Sequence, residues 1–386
     1  MKASLVRLGT LMSINESTVR SALSRVVDPE IGKPITELGM VKSIDITGND
    51  VAVSVYLTVA GCPMRNTIET NTQAALEEIE GVGNVTVTMD VMSDEQRREL
   101  RRQLRGDNPE PEIPFAQPDS NTRVYAVASG KGGVGKSSMT VNLALALAEQ
   151  GLSVGILDAD IYGHSVPTLL GSDQAPTVVD DMLMPPQAHG VKFISIGQFV
   201  EGNSPVVWRG PMLHRAIQQF LGDVFWGDLD VLFMDLPPGT GDVALSVAQL
   251  VPNAELLIVT TPQLAAAEVA ERAGTIAVQT RQRVTGVIEN MSAMVMPDGT
   301  VVDVFGEGGG ETVADRLSTI MGTTVPLLGQ VPLDPQLRVH GDEGTPVIVS
   351  NPDSPSAEGI REIADHLILR TNSLAGKPLG LNVTRK

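Results

Sequence analysis

The chain has 386 residues, of which 42% are apolar, 19% are charged and only 3% are aromatic. This length predicts two or three domains, and the composition is that of an ordinary globular protein with aliphatic cores. The 46 acidic and 28 basic residues give a net charge of −18. Because such a surface repels nucleic acids and anionic lipid, we expect neither a nucleic acid nor a membrane as a partner.

Cysteine content and the first residues indicate the compartment. Cys62 is the one cysteine, which excludes a disulfide within the chain and favours a reducing environment. No apolar run approaches the roughly 20 residues that a bilayer span needs, and residues 1–13 lack the apolar segment of a signal peptide. We therefore expect a cytoplasmic protein, with Met1 and Met12 as alternative start residues.

A small α+β domain is predicted at residues 14–93. A helix, an antiparallel hairpin, a second helix and a third strand follow one another, with Gly48, Asn49 and Asp50 at the turn of the hairpin. The expected helices and strands are residues 17–26, 41–46, 51–57, 61–79 and 85–89.

Residues 94–122 have the composition of a linker between domains. The stretch 97–105 is charged and helical in pattern; a nucleic-acid-binding patch is the alternative, but the interleaved Glu99 favours a solvated helix. Four prolines then favour an extended, semi-rigid segment. They are Pro109, Pro111, Pro114 and Pro118.

Residues 123–372 predict an α/β domain, followed by a flexible tail at 373–386. Near-continuous runs of Val, Ile and Leu alternate with helical patterns, which is typical of a mostly parallel sheet covered on both faces. The expected strands are residues 124–128, 154–157, 191–196, 231–234, 256–259, 285–288 and 327–330. The expected helices are residues 137–149, 212–225, 265–279 and 311–321.

A phosphate-binding loop is predicted between the first strand and the first helix of this domain. Glycines there allow successive backbone N–H groups to point at phosphate oxygens, and the positive end of the following helix adds to the attraction. Lys136 is expected to contact the β- and γ-phosphates, and the Ser137 hydroxyl to ligate Mg²⁺. The pattern GxxxxGK[ST] lies within Gly130, Lys131, Gly132, Gly133, Val134, Gly135, Lys136, Ser137 and Ser138.

Acidic residues follow two of the predicted strands. Asp158 and Asp160 follow strand 154–157, and Asp235 follows strand 231–234. Carboxylates at strand ends can meet Mg²⁺ and the attacking water, so Asp235 fits the Walker B carboxylate and Asp158 is a further candidate ligand. A helix cap or turn is the alternative role for each aspartate, and the loop upstream favours the nucleotide site.

The residues after strand 285–288 bear on the choice of base. Guanine-specific P-loop proteins present Asn-Lys-x-Asp, whereas this chain continues with Glu289, Asn290, Met291 and Ser292 and has no aspartate in place. Because the Asn290 amide can bond adenine, we expect ATP to be preferred over GTP.

The loop form GKGGVGK resembles the deviant Walker A motif of the MinD/ParA/nitrogenase-iron-protein class. In that class the extra lysine reaches across a dimer interface to the nucleotide of the other subunit. The resemblance implies an ATP-dependent homodimer in which Lys131 acts in trans, Asp160 orients the attacking water, and Asp235 acts on Mg²⁺ through a bound water. No internal arginine finger is identifiable, so we expect slow hydrolysis.

A longer resemblance covers residues 123 to about 366, which are similar to the Mrp/ApbC-type iron–sulfur cluster carrier ATPases. The shared motifs include GKGGVGKS, LDADIYGHSVP, VVWRGPML, TTPQ, GVIENMS and FGEGGG. Residues 16–91 resemble the small domain of iron–sulfur assembly factors, with DPEIG, ELGMV and TVAGCP. The resemblance implies an ATPase that binds iron–sulfur clusters and transfers them to apoproteins, with assembly factors or acceptor apoproteins as partners.

The iron ligands usual in that family are missing. Members usually carry Cys-x-x-Cys shortly after Asn-Met-Ser, and two such pairs in a dimer supply the four thiolates of a [4Fe–4S] cluster. This chain has no cysteine between Met294 and Gly299, and Met thioethers are poor ligands for iron. Cys62 is left as a candidate ligand, and its predicted place at a helix N-terminus is expected to lower its pKa. A buried structural cysteine is the alternative.

Two functions therefore stay open at this point. The first is the ATP-dependent cluster carrier, and the second is a nucleotide-switched scaffold for iron–sulfur assembly partners that holds no cluster itself. A partitioning ATPase of the MinD/ParA type is a third hypothesis. It is disfavoured because Gly and Pro interrupt residues 374–386, which therefore cannot form a membrane-binding helix, and because the acidic surface opposes DNA binding.

Overall fold

A computed structural model describes residues 14–106, 112–160, 163–199, 210–239, 241–263, 266–296 and 298–371. The chain divides into two compact units. The first comprises Met1–Pro111, Pro176–Pro185 and Asp223–Gly227, and the second comprises Glu112–Ala175, Pro186–Gly222 and Asp228–Lys386. The predicted tail at 373–386 lies outside the described residues.

Both units combine helices and strands. The strands are β1 Val41–Thr47, β2 Asp50–Leu57, β3 Val85–Val91, β4 Arg123–Ala128, β5 Val154–Asp158, β6 Thr177–Val179, β7 Met182–Met184, β8 Gln187–Ala188, β9 Val191–Ser195, β10 Val231–Asp235, β11 Glu255–Thr260, β12 Val284–Asn290, β13 Met294–Val295, β14 Val301–Val302 and β15 Leu327–Val331. The helices are α1 Glu16–Leu23, α2 Arg65–Glu77, α3 Asp94–Arg105, α4 Lys136–Glu149, α5 Val166–Leu169, α6 Gly210–Gly222, α7 Asp242–Leu250, α8 Ala266–Thr280, α9 Gly309–Met321, α10 Pro335–Asp342, α11 Val347–Ser350 and α12 Pro355–Thr371.

The first unit contains the predicted small α+β fold. Strands β1 and β2 form the expected antiparallel hairpin, and β3 pairs with β2 in parallel. In β2 every second side chain is buried, which is the pattern of a sheet with one covered face. Helices α1 and α2 cover that face, and Val19, Leu23, Ile68 and Leu76 are buried in the core with the strand residues.

Helix α3 occupies the first part of the segment predicted as a linker. Its N-terminus is closed by a capping box between Ser93 and Gln96. Leu100 is buried in the core of the first unit, and Arg101 forms an ion pair of 2.5 Å with Asp181. The short antiparallel hairpin β6–β7 adds further apolar side chains to the same core. One buried leucine among eleven mostly charged or polar residues does not predict a buried helix face, so the sequence favours a solvated helix here.

The second unit is built on the predicted mostly parallel sheet. The sheet has the strand order β15-β12-β11-β4-β10-β5-β9-β8, in which β8 is antiparallel to β9 and the other pairs are parallel. All seven strands predicted for this domain are present, which confirms the predicted α/β fold class. Because β4, β10 and β5 are neighbours, their carboxyl ends meet at one edge, and Asp235 pairs in register with both Val127 and Asp158.

Helix α4 follows β4 and is buried on nearly all sides. Ten of its 14 residues are buried, as expected for a helix enclosed by other elements rather than lying at the surface. Its apolar side chains share a core with those of α12, including Ile360 and Ile363. The Asn142 side chain accepts a hydrogen bond from the Ile348 N–H at 3.3 Å, which fixes α4 against α11. The start of α4 is therefore held in place by packing along the rest of the helix.

Among the described residues, no helix combines the length and the apolar character needed to cross a bilayer.

Candidate functional site

The loop between β4 and α4 has the backbone form that its glycines permit. Gly133 and Gly135 have φ angles of 77° and 80°, in the left-handed region that favours glycine. Gly135 also lies where a Cβ atom would come within 2.2 Å of the Asn290 Nδ2. The loop is fixed at its start, since the Gly239 N–H donates to the Ser129 carbonyl at 2.9 Å.

A buried cluster of polar side chains lies at the first turn of α4. Lys136 is 6% exposed, and its Nζ lies 2.7 Å from the Asp235 Oδ2 and 3.8 Å from the Asp160 Oδ2. The Ser137 hydroxyl donates to the same Asp235 Oδ2 at 2.5 Å, and the Thr140 hydroxyl donates to the Asp235 Oδ1 at 2.8 Å. The structure therefore brings Lys136, Ser137, Asp160 and Asp235 together, as the sequence predicts for a nucleotide site.

Asp158 lies beside Asp235 but is enclosed by the protein. It is fully buried, and its Oδ2 accepts hydrogen bonds from the Ser195 hydroxyl at 2.9 Å and the Val166 N–H at 3.3 Å. Its Oδ1 accepts from the Asp160 N–H at 3.1 Å. Burial, and next the negative charge of Asp235, raise the pKa of Asp158 to about 7. Asp158 thus holds the backbone at Asp160 and at Val166.

Asn290 contacts the loop directly from the end of β12. Its Nδ2 donates to the Val134 carbonyl at 2.9 Å, and the residue is only 2% exposed. Its Oδ1 is buried and has no hydrogen-bond partner within the described part of the chain. A buried acceptor without a donor is costly, so this oxygen is suited to a ligand that brings an N–H group.

Lys131 is held by a residue that sequence reasoning did not assign a role. Its Nζ donates a hydrogen bond to the Oε1 of Gln263, which follows β11 in the same chain. The preceding carbonyl, that of Gly130, accepts from the Arg272 Nη1 at 3.4 Å. The motif TTPQ, which contains Gln263, can be found in the sequence. Its contact with Lys131 cannot, because the two residues are 132 positions apart.

The structure contradicts the expected lowering of the Cys62 pKa. Helix α2 begins at Arg65, so Cys62 lies before the helix rather than in its first turn. The thiol is buried and donates to the Glu30 Oε2 at 3.6 Å. Burial, and next the charge of Glu30, raise the pKa of Cys62 to about 12. The thiol is therefore protonated at neutral pH, which disfavours its predicted role as an iron ligand.

The segment after Asn290 forms a small apolar hairpin where the resembling family usually carries its Cys pair. Strands β13 and β14 pair through Met294 with Val302 and through Val295 with Val301. Val295 and Val301 are exposed. Over the described ranges, no group of three or more His, Cys, Asp or Glu side chains could hold a metal ion. This hairpin offers iron no thiolate.

Comparison with known proteins assigns both parts of the chain. Residues 120–368 match the family described as NUBPL iron-transfer P-loop NTPases, and residues 16–87 match the iron–sulfur cluster assembly protein family. The larger match covers more than half of the chain. The chain belongs to the iron-transfer P-loop NTPase family.

Relatives in this family extend over nearly the whole length. The iron–sulfur cluster carrier protein of Mycobacterium tuberculosis (strain ATCC 25618 / H37Rv) is 64% identical over 372 residues, covering 96% of this chain and 97% of the relative. The iron–sulfur cluster carrier protein of Deinococcus radiodurans is 42% identical over 354 residues, covering 91% and 94%. These matches confirm the resemblance on which the sequence-based predictions rest.

A solved structure supports the fold of the NTPase part. The nucleotide-binding protein of Archaeoglobus fulgidus, solved in complex with ADP, is 35% identical with a TM-score of 0.52. It covers 69% of this chain and 96% of its own length. The similarity therefore includes the large parallel sheet.

Proposed function

We propose that this chain binds Mg·ATP at Gly130–Ser138, hydrolyses it slowly as a homodimer, and carries iron–sulfur clusters to acceptor apoproteins. The observation that carries the nucleotide part is the cluster of the buried Lys136 and Asp235 with the half-buried Ser137, beneath a loop with two left-handed glycines. The carrier part is supported by family membership and by relatives named iron–sulfur cluster carrier proteins.

The proposed roles of the cluster follow from its contacts. The Lys136 ammonium balances the charge of Asp235, and phosphate oxygens would compete for the same ammonium. Ser137 would contribute its hydroxyl to Mg²⁺, with Asp235 acting through a bound water. Bound Mg²⁺ would supply positive charge to the transferring phosphoryl group. Asp160, 3.8 Å from Lys136, would orient the attacking water, whereas the full burial of Asp158 favours a supporting role over direct Mg²⁺ contact.

The same loop supports the choice of ATP. The Asn290 Oδ1 is a buried acceptor with no partner in the described residues, and the exocyclic amino group of adenine is a donor. Guanine presents an oxygen at the corresponding position, which would face this acceptor without a proton between them. We therefore propose that Asn290 contributes to adenine recognition.

Lys131 is proposed to act on the nucleotide of the second subunit. Inside its own chain its Nζ contacts Gln263 rather than the cluster around Lys136. Lys136 lies near Asp160 and Asp235, and a lysine in trans would add further positive charge for the transition state. Turnover would then depend on dimer formation.

A second candidate function is favoured by the missing iron ligands. Hairpin β13–β14 has no cysteine, and the Cys62 thiol has a pKa raised to about 12. The described residues thus do not fit a cluster held as the family usually holds it, and we derive no step through such a cluster. The alternative is a scaffold that recruits iron–sulfur assembly partners in one nucleotide state and holds no cluster itself.

Two experiments separate these functions. Anaerobic incubation of the full chain with iron and sulfide, with and without a cluster-donating partner, tests the carrier. Iron and acid-labile sulfide retained in stoichiometric amounts support it, and no retention in either arm contradicts it. Affinity capture from lysate with ATP, with ADP and with Lys136→Ala protein tests the scaffold. Assembly partners captured in one nucleotide state support the scaffold, and identical capture in all three arms contradicts it.

A further inference from the structure

The contact between Lys131 and Gln263 constrains the proposed trans role of this lysine. The Lys131 ammonium donates to the Gln263 Oε1 of its own chain, and the side chain is partly buried there. A lysine that serves the nucleotide of another subunit needs its ammonium free to extend. The contact with Gln263 and the reach across a dimer are therefore competing positions of one side chain.

Thr261 and Pro262, which lead from β11 to Gln263, pack closely against the start of α9. A Cβ atom on Gly309 would come within 2.5 Å of the Thr261 carbonyl oxygen and 2.6 Å of the Pro262 carbonyl carbon. Only glycine permits such a close approach of two backbones. This packing accounts for part of the motif FGEGGG, which the nucleotide site itself does not use.

Helix α9 is in turn fixed to the end of β12. The buried carboxylate of Glu289 accepts a hydrogen bond from the Gly310 N–H at 2.5 Å and another from the Gln330 Nε2 at 2.6 Å. A carboxylate is favoured at a helix N-terminus because it meets free N–H groups and the positive end of the helix dipole. Thr261 and Pro262, which directly precede Gln263, are thus packed against a helix that is itself fixed to β12.

The backbone at Lys131 is also fixed. The Ser129 hydroxyl donates to the Lys131 carbonyl at 3.0 Å, and Arg272 donates to the carbonyl of Gly130. The backbone is therefore restrained at Lys131 and directly before Gln263, which favours a reproducible contact between the two side chains.

The residue type at position 263 suits a contact that must be released. A glutamine oxygen binds an ammonium as a neutral acceptor, and such a bond is weaker than the charge-assisted bond to a carboxylate. A phosphate carries negative charge and competes well against a neutral amide. A glutamate at the same position would compete with phosphate far more strongly.

We propose that Gln263 is a positioning residue that holds Lys131 within its own subunit until the ATP-bound dimer forms. This inference rests on the proposed function, because it assumes that Lys131 acts in trans. Gln263 sets the ease with which Lys131 leaves for the second subunit. The motifs TTPQ and FGEGGG together form the support for this contact.

Substitutions at Gln263 test the proposal through their dependence on Lys131. Gln263→Glu is expected to lower ATP turnover about tenfold and to raise the protein concentration needed for dimer formation with a slowly hydrolysed ATP analogue. Gln263→Ala is expected to lower that concentration several-fold. In a Lys131→Ala background neither substitution should change dimer formation. Gln336→Glu, which adds the same charge at an exposed position, is the control and should behave as the parent chain.

Amine labelling tests the contact itself in nucleotide-free protein. An ammonium held by an acceptor reacts more slowly with acylating reagents, so Gln263→Ala should raise the labelling of Lys131 several-fold by mass spectrometry. Labelling of Lys33, which is exposed in the other unit, should not change. If the labelling of Lys131 does not change in Gln263→Ala protein, the inference is wrong. This result decides the question even if Lys131→Ala protein forms no dimer, in which case dimer formation cannot be compared in that background.

The outcomes also distinguish this inference from the function on which it rests. If Lys131→Ala leaves both turnover and dimer formation intact, the trans role of Lys131 is wrong. If Lys131→Ala impairs turnover, the trans role of Lys131 stands. If the Gln263 variants then change dimer formation equally with and without Lys131, the holding role of Gln263 is wrong. If the full chain binds no Mg·ATP, the proposed function itself fails.

Discussion

At the scale of single residues, burial decides the chemistry of the charged groups. Lys136 and Asp235 are 6% and 0% exposed and lie 2.7 Å apart. A buried ion pair adds little net stability, but removing one partner leaves an uncompensated charge in a poorly solvated site. The cluster at the first turn of α4 therefore depends on both members of the pair for its stability.

Replacing Lys136 tests this dependence. Lys136→Ala is expected to abolish ATP turnover and to lower the free energy of unfolding by about 3 kcal/mol, because Asp235 loses its buried counterion. Urea denaturation and an ATPase assay measure the two effects. The double variant Lys136→Ala/Asp235→Asn should recover much of the stability and none of the turnover. Equal stability of the single and double variants would contradict the argument.

Asp158 gives a pH dependence of defined sign. Its pKa is raised to about 7 by burial and by Asp235, against about 3.9 in an unfolded chain. Between these values the folded state binds more protons than the unfolded state, so this group makes the free energy of unfolding fall as pH rises. We expect wild type to lose on the order of 2 kcal/mol relative to Asp158→Asn between pH 4 and 7. Urea denaturation at several pH values measures the two free energies of unfolding. If their difference stays constant between pH 4 and 7, the pKa of Asp158 is not raised in the folded protein.

Cys62 should be unreactive in the folded protein. Burial and Glu30 raise the pKa of its thiol to about 12, so at pH 8 iodoacetamide should modify it at least about 100-fold more slowly than in urea-unfolded chain, since only the thiolate reacts. Glu30→Gln removes the nearby charge and should speed the reaction several-fold, whereas Glu80→Gln at an exposed position should not. Fast modification of the native chain would show that the thiol pKa is low after all.

Among the secondary-structure elements, close contacts at glycines fix the ends of strands and helices around the site. The start of α9 lies against the ends of β11 and β12 through Gly309 and Gly310, with Glu289 as the acceptor for the Gly310 N–H. The left-handed Gly135 at the start of α4 lies against the side chain of Asn290. These contacts leave no room for a Cβ atom, so the glycines of two motifs are required by packing.

Gly310→Ala tests the packing of α9. The new Cβ atom would lie 2.7 Å from the Glu289 Cβ and 2.9 Å from the Leu327 Cδ1. Overpacking of this kind costs roughly 1–3 kcal/mol, which urea denaturation should detect. Gly61→Ala is the control, because its Cβ would meet nothing within 4 Å. Equal stability of Gly310→Ala and wild-type protein would show that α9 can move away freely.

At the scale of the whole molecule, the sequence predicts local features well and long-range ones poorly. The seven parallel strands of the large sheet and the glycine loop are visible because apolar runs and the loop motif are local patterns. The pairing of Lys131 with Gln263 and of Cys62 with Glu30 joins residues 132 and 32 positions apart. Hairpin β6–β7 joins the core of the first unit although it lies some 70 residues beyond α3. No pattern in one sequence specifies these pairings. Because the sequence does not show that Cys62 is buried beside Glu30, it predicts a lowered pKa where the structure gives a raised one.

Every role proposed for this chain requires Mg·ATP to bind in the loop that contains Lys136 and Ser137. Isothermal titration of the purified chain with ATP and Mg²⁺ measures that binding. We expect binding with a Kd below about 100 μM, and a loss of at least about tenfold in affinity on Lys136→Ala. If the folded wild-type chain shows no detectable binding of Mg·ATP, the proposed nucleotide site is wrong.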